Sequence, residues 1–356
     1  MLAATPGLAL LPEIIILIAE CLGDDVRSIS NLYQADKTTR RTLSSHLYRS
    51  VRLKSANSVT SLCQMTTNFR PDELGNIRSL QIGPDWSKHS AGSKIQSNLV
   101  PSLRSALEAM PRILSLSLYM TPSALYGLLE GFEPPFQLTE FIHSGELSPP
   151  LAGFLEKQPS ILKLGWHSLF LEEQCDYLSS LLEDSRTILQ MLGELAGPMP
   201  LLSVLLPRRP VTKIQVMYHT LSFLRLESPM AAFSHPMGRL SSLCMMEYRP
   251  TWQSFTALIS KLEVTCVRNT LREVHIVEAF TGSSMLTRRN LIRTHATRLA
   301  VFDSLEHVEI SRTPDMTVFP QVVYEQLRSS GMDRVSTWRT IIPSLRSVTI
   351  HGHKLC

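Results

Sequence analysis

A short apolar pattern recurs from residue 77 to the end of the chain, and it restricts the possible folds more than any other feature. Apolar residues take positions 1, 4 and 6 of short runs at Ile77/Leu80/Ile82, Ile113/Leu116/Leu118 and Ile161/Leu164/Trp166. The pattern returns at Val211/Ile214/Val216, Leu240/Leu243/Met245, Leu271/Val274/Ile276, Leu305/Val308/Ile310 and Leu345/Val348/Ile350. Weaker copies sit at Leu138/Phe141 and Leu192/Leu195. With these included the mean interval is about 30 residues, a spacing typical of repeat architectures. Positions 4 and 6 share one face of an extended chain, so each run reads as a strand with one apolar side.

Amphipathic helical patterns fill the intervals, at Leu99 to Met110, Leu151 to Leu155, Trp252 to Leu262, Leu291 to Phe302 and Val322 to Leu327. Prolines mark many junctions, among them Pro101, Pro111, Pro149, Pro150, Pro207, Pro210 and Pro343. One strand–helix unit cannot bury its own apolar edge, whereas stacked units build a continuous core and a curved parallel sheet. These runs resemble degenerate leucine-rich repeats, which implies an α/β chain with an irregular solenoid over residues 76–356. The Asn or Cys that usually follows the Leu pattern is missing, as at Gly83-Pro84-Asp85. Its loss removes a side chain that satisfies loop backbone groups. The competing architecture is a doubly wound α/β domain, but no glycine-rich phosphate loop follows any run.

In a solenoid, the residues between the apolar positions face a partner. These are Ser79 and Gln81, Ser115 and Ser117, Lys163, Gly165 and His167, Lys213, Gln215 and Met217, Glu273 and His275, His307 and Glu309, and Thr349 and His351. Gln81, Ser117, Lys163, His167, Lys213, Gln215, Glu273, His275, His307, Glu309 and His351 are the candidate client-binding residues. The mixed charge and polarity suit a protein-binding surface and equally an ordinary hydrated sheet face. His167, His275, His307 and His351 fall at related positions of separate copies, too far apart for a shared metal, so neither metal nor cofactor is expected.

Ahead of the repeats, residues 10–53 read LLPEIIILIAECLGDDVRSISNLYQADKTTRRTLSSHLYRSVRL. Pro12 suits the start of a helix, where its missing N–H and fixed φ carry no penalty. Glu13 suits the positive end of the helix dipole. Ile14, Ile15, Ile18, Cys21 and Leu22 follow one apolar face, and Ile16 and Leu17 add apolar surface on the other side. A helix apolar nearly all round needs burial on more than one side. Gly23 suits a helix C-terminus. Asp24 or Asp25 can cap a second helix carrying Val26, Ile29, Leu32 and Tyr33, and Asp36 a third with Arg40, Arg41 and Leu43.

This segment resembles an F-box, a three-helix module that docks onto a Skp-type adaptor in cullin-based ubiquitin ligases. The resemblance runs through Glu13, Ile14, Ile15, Ile18, Ala19 and Leu22 and closes on Leu47-Tyr48-Arg49. The family places a spacer between Leu-Pro and Glu, whereas here Pro12 directly precedes Glu13: either the spacer is missing, or Pro12 fills it and Leu10-Leu11 replaces Leu-Pro. The resemblance implies adaptor contacts through Leu11, Pro12, Glu13, Ile14, Ile15, Ile18 and Leu22. It also implies an F-box at 8–53, a linker or first repeat cap at 54–75, and repeats of the kind common behind F-boxes in fungi. The alternative is an ordinary three-helix start to a globular domain.

The remaining composition excludes more than it assigns. A net charge of +4 over 356 residues is modest. Arg27, Lys37, Arg40, Arg41, Arg49 and Arg52 cluster without aromatic interleaving, so no nucleic-acid partner is expected. The six cysteines form no CxxC pair and read as small apolar residues of a reducing compartment. The apolar start lacks a basic n-region and is interrupted by Pro12, Glu13 and Glu20, so neither secretion nor a membrane is expected, and an intracellular home, in cytoplasm or nucleus, is. No nucleophile-elbow, P-loop or metalloprotease motif appears, so the chain reads as no enzyme. The leading expectation is a substrate-recognition subunit of a ubiquitin ligase that bridges a Skp-type adaptor, and through it a cullin, to an unknown client. The alternatives are an F-box scaffold acting outside a ligase and an α/β enzyme with an N-terminal helical cap.

Overall fold

All ten apolar runs form strands, and an eleventh strand precedes them. The computed structural model describes residues 11–22, 26–67, 74–83, 97–168, 170, 172–217, 233–234, 236–247, 258–278, 285–312, 325 and 327–356. The strands are β1 (Ser50–Leu53), β2 (Ser79–Ile82), β3 (Ser115–Leu118), β4 (Glu140–His143), β5 (Lys163–Trp166) and β6 (Glu194–Gly197). They continue as β7 (Lys213–Met217), β8 (Ser242–Glu247), β9 (Glu273–Glu278), β10 (His307–Arg312), β11 (Ser347–Ile350) and β12 (His353–Lys354). They join one 12-stranded sheet in chain order. β1 to β11 are parallel and β12 is antiparallel to β11.

The register stacks equivalent positions into columns. Position 4 runs Leu80, Leu116, Phe141, Leu164, Leu195, Ile214, Leu243, Val274, Val308 and Val348, all buried. Position 6 is likewise buried, with His143 in β4 and Gly197 in β6 standing where other strands carry Ile, Leu, Val, Met or Trp. Those two exceptions are what made the copies at 138 and 192 weak. A sheet ordered as the chain runs has no reversal of strand order, so it is not a doubly wound fold. The order is compatible with a solenoid, in which each unit meets only its neighbours.

Helices cover the apolar face: α4 (Ala56–Thr67), α5 (Val100–Glu108), α6 (Pro122–Leu129), α7 (Pro149–Glu156), α8 (Glu172–Asp184), α9 (Met199–Leu205), α10 (Met285–Leu299) and α11 (Val335–Ile341). Proline starts several of them, where its missing N–H has no intrahelical partner to lose. Pro122 opens α6 beside Thr121, whose side chain accepts from Ala124 N. One continuous apolar core runs from Leu53 to Ile350. Inter-unit clamps add to it: Arg104 donates to the carbonyls of Gly127 and Leu128, and Arg209 Nε donates to Ile188 O at 2.7 Å.

The sheet begins earlier than the expected residue 76. β1 lies in the segment assigned to the F-box resemblance and α4 in the segment read as a linker or first repeat cap, and α4 packs against α5. Tyr48, Val51 and Leu53 repeat the 1-4-6 pattern, so Ser50–Leu53 pairs with β2. Three helices precede it: α1 (Pro12–Leu22), α2 (Val26–Tyr33) and α3 (Lys37–Leu47). Ile15, Ala19 and Leu43, with Leu32 and Tyr33 against them, make a separate small core. Asp36 caps α3 as read, accepting from Thr39 N at 2.8 Å. Gly23, Asp24 and Asp25, the start of the helix read from Trp252, and residues 322–324 lie outside the described residues.

Candidate functional site

Among the described residues two surfaces stand out once the cores are assigned: one side of α1 and the face of the sheet that no described helix covers. On α1, Ile15 and Ala19 turn inward and are 2% and 3% exposed, while Ile14 and Leu17, with Leu11 just ahead of the helix, are exposed at 42%, 58% and 63%. Cys21 is also exposed, and Ile18 and Leu22 are half-buried. Positions 11, 14, 18 and 21 follow helical spacing, so these side chains form one stripe with Leu17 beside it. The expected adaptor set therefore changes in two places. Ile15 holds the small core and is not free for a partner, whereas Leu17, absent from that set, is among the barest apolar side chains. Pro12 and Glu13 are exposed.

The uncovered sheet face is built from positions 3 and 5 of each strand. Position 3 runs Ser79, Ser115, Glu140, Lys163, Glu194, Lys213, Ser242, Glu273, His307 and Ser347. Its centre is a self-satisfied ladder. Ser115 Oγ donates to Glu140 Oε2 at 2.7 Å, Lys163 Nζ meets Glu140 Oε1 at 2.6 Å, and Lys213 Nζ meets Glu194 Oε1 at 2.8 Å. Burial alone would raise the Glu140 carboxyl, but the hydrogen bonds from Lys163 and Ser115 and the lysine charge outweigh it and hold the group below its ordinary value. The hydrogen bond from Lys213 to Glu194, with the attraction of that carboxylate, raises the lysine. Lys163 and Lys213 thus face outward as expected but already have partners.

Position 5 runs Gln81, Ser117, Ile142, Gly165, Ala196, Gln215, Cys244, His275, Glu309 and Thr349. Ser117 is only 9% exposed between the larger Gln81 and Ile142 of its column, so it offers little outward contact. Further along, His275 joins three neighbours: its Nδ1 lies 3.7 Å from Cys244 Sγ, and its Nε2 lies 2.6 Å from Ser311 Oγ and 3.8 Å from Glu309 Oε1. Burial, and secondarily the Glu309 charge, pushes the Cys244 thiol up to about 12. Burial lowers His275 although Glu309 opposes it. Both directions favour a neutral thiol beside a neutral imidazole, the reverse of an activated thiolate.

The histidines do not share one position. His275 is at position 5, His307 at position 3, His167 follows the end of β5, and His351 lies in the turn between β11 and β12. His167 packs edge-on against Tyr119, with ring centres 5.7 Å apart, and His307 Nδ1 lies 2.7 Å from Ser347 Oγ. Among the described residues no group of three or more His, Cys, Asp or Glu is arranged to hold a metal. Among them, too, no helix is long and apolar enough to cross a membrane.

Sequence reading missed Leu17, Cys244 and His143. Helical spacing alone does not rank the sides of α1, since nearly every residue there is apolar. Cys244 meets His275 only because both stand at position 5 of adjacent copies, a signal present once the register is fixed. His143 escaped because its copy was read from Leu138 and Phe141 alone.

No family model matches this chain, and no curated protein matches it. Among solved structures it is similar to a protein of Bacteroides fragilis at 10% identity. That similarity covers 78% of this chain and 71% of the other, with a TM-score of 0.38. A likeness of this size assigns neither family nor role.

Proposed function

We propose that this chain is an F-box protein with degenerate leucine-rich repeats. It bridges a Skp-type adaptor, and through it a cullin, to a client protein held on the uncovered sheet face. The observation that carries the reading is the division of α1 into two apolar sides. Ile15 and Ala19 serve the module's own core, and Leu11, Ile14 and Leu17 remain bare. Bare Leu and Ile at helical spacing suit a partner helix or groove. Burying one such side chain contributes roughly 1.5–3 kcal/mol, enough for each to matter to affinity. The sheet face supports the second half of the reading through its length and mixed polarity. In this role the chain does no covalent chemistry and raises the client's effective concentration at a transfer site held by other subunits.

The test is co-purification of the full chain with a recombinant Skp-type adaptor, comparing wild type with Ile14→Asp/Leu17→Asp. Both residues are exposed, so the variant is expected to melt within a few degrees of wild type. The expected outcome is capture by wild type and a loss of at least tenfold in the variant, about 1.4 kcal/mol or more. Capture unaffected by the substitutions, or absent from wild type, overturns the adaptor assignment. Adding cullin separates a ligase subunit from a scaffold that stops at the adaptor.

A further inference from the structure

Carboxylates on the uncovered sheet face fall into two kinds. Glu140 and Glu194 each hold a lysine of the next strand at 2.6 and 2.8 Å. Glu273 on β9 and Glu309 on β10 make no close ion pair with a lysine or arginine among the described residues: Glu273 only adds, behind Glu194, to the attraction that raises Lys213, and the basic group near Glu309 is His275 at 3.8 Å. Both are exposed, and Lys213, in the same column as Glu273, is already taken by Glu194. The chain as a whole carries +4, yet in the two outward columns from β3 to β11 Glu140, Glu194, Glu273 and Glu309 face only Lys163 and Lys213. Within those columns the surplus of negative charge sits on β9 and β10, while one position earlier Arg272 and Arg346 share Glu306.

A second observation falls at the same place. β8, β9 and β10 have six residues each where β2 to β6 have four, and they stay in register along that length. The face is therefore longest, about 20 Å, where the carboxylates stand unpaired. Glu273 at position 3 and Glu309 at position 5 lie on adjacent strands, which sets their backbones about 8 Å apart. That separation suits two cationic side chains at alternate residues of an extended segment.

We infer that the face of β8–β10 docks a segment of the client bearing lysine or arginine at alternate positions, with Glu273 and Glu309 as its counter-charges. This rests on the client-receptor role proposed above and gives it a chemical class. The net positive charge of the chain makes the inference specific, because indiscriminate attraction would favour an acidic partner.

The test uses the purified full chain and two fluorescent probe peptides of equal length in a Ser/Thr background, one with Lys at alternate positions and one with Glu there. Anisotropy is read at low and high salt. The basic probe is expected to bind about tenfold tighter at low salt, a preference that high salt reduces. E273Q/E309Q is expected to bring the two probes within about twofold, while K163Q/K213Q keeps the preference. Equal binding, a preference for the acidic probe, or a basic preference that survives E273Q/E309Q overturns the inference. No adaptor is present in this assay. A preference for the basic probe together with failed adaptor capture sinks the F-box reading alone, and adaptor capture without that preference sinks only the docking site.

Discussion

Gln158 Oε1 accepts the backbone N–H of Leu138 at 2.7 Å, and the same side chain's Nε2 donates to Phe136 O at 3.1 Å. Gln158 is fully buried and ends the unit whose strand run Leu138 opens, whereas Phe136 closes the unit before it. One amide therefore satisfies two loop backbone groups that water does not reach. The sequence lacks the Asn or Cys that would serve the loops of a regular leucine-rich repeat. Gln158 ties the start of its own unit to the end of the one before it, and Arg209 likewise reaches back to Ile188 O.

Gln158→Leu leaves the Leu138 N–H and Phe136 C=O buried and unpaired. The expected loss is about 1–3 kcal/mol of unfolding free energy, read from urea midpoints at unchanged slope. The exposed Gln137→Leu serves as control and is expected to shift stability by no more than about 0.5 kcal/mol. A Gln158 effect no larger than that control removes the clamp from the account.

His143 predicts an acid-sensitive fold. It stands in the position 6 column, fully buried, stacked on Phe141 and edge-on to Trp166, with Nδ1 accepting from Gly145 N and Nε2 unpartnered. Burial, with a smaller push from His167, lowers it from 6.5 to about 3. The unfolded chain therefore binds a proton through that window and the folded chain does not. The stability this neutral imidazole contributes is full above pH 6.5 and is lost as the pH falls toward 3. Between pH 7 and 4.5 the loss is about 2–3 kcal/mol. His143→Phe is expected to flatten the pH dependence of the urea midpoint by about that amount. An unchanged slope would show that other groups govern the acid limb.

The turn at His351 and Gly352 holds both residues at positive φ, 49° and 84°, as a two-residue hairpin of type I′ requires. An added Cβ at Gly352 meets no atom within 4 Å, so Gly352→Ala isolates backbone strain. It is expected to cost about 1 kcal/mol, and His351→Asn is expected to be neutral or mildly stabilising. Thermal melts of the two variants check this, and equal melting temperatures count against the strained turn.

Cys244 is expected to be a slow thiol. Burial and Glu309 hold it protonated, whereas Cys21 and Cys356 are exposed. Alkylation of the native protein near pH 8, followed by peptide mass spectrometry, is expected to label Cys244 at least about tenfold more slowly than Cys356. Equal rates would contradict the buried, neutral pairing with His275.

The strand positions were legible in the sequence because a 1-4-6 spacing has one structural meaning and recurs eight times in full and twice without an apolar residue at position 6. What the same pattern hid is instructive. Tyr48, Val51 and Leu53 obey it, yet they also suit the closing residues of the F-box resemblance, so the sheet's first strand was read as part of a helical module. Ile15 and Leu17 exchanged roles because an all-apolar helix carries no internal marker of which side meets its own domain. The lysines at 163 and 213 were read as outward, as they are. Their pairing with Glu140 and Glu194 depends on which strands lie side by side, and residue spacing alone does not say so.

Because strands neighbour one another in the order they are synthesised, no strand waits for a distant stretch of chain to arrive. Each can settle on the last as it emerges from the ribosome, and damage at one end leaves the other end's partners in place. At the far edge the two-residue strand His353–Lys354 covers part of β11 and leaves few free backbone groups of its own, as short edge strands do. Copies of this chain should therefore resist stringing together end to end, a useful property in a protein built from self-similar pieces.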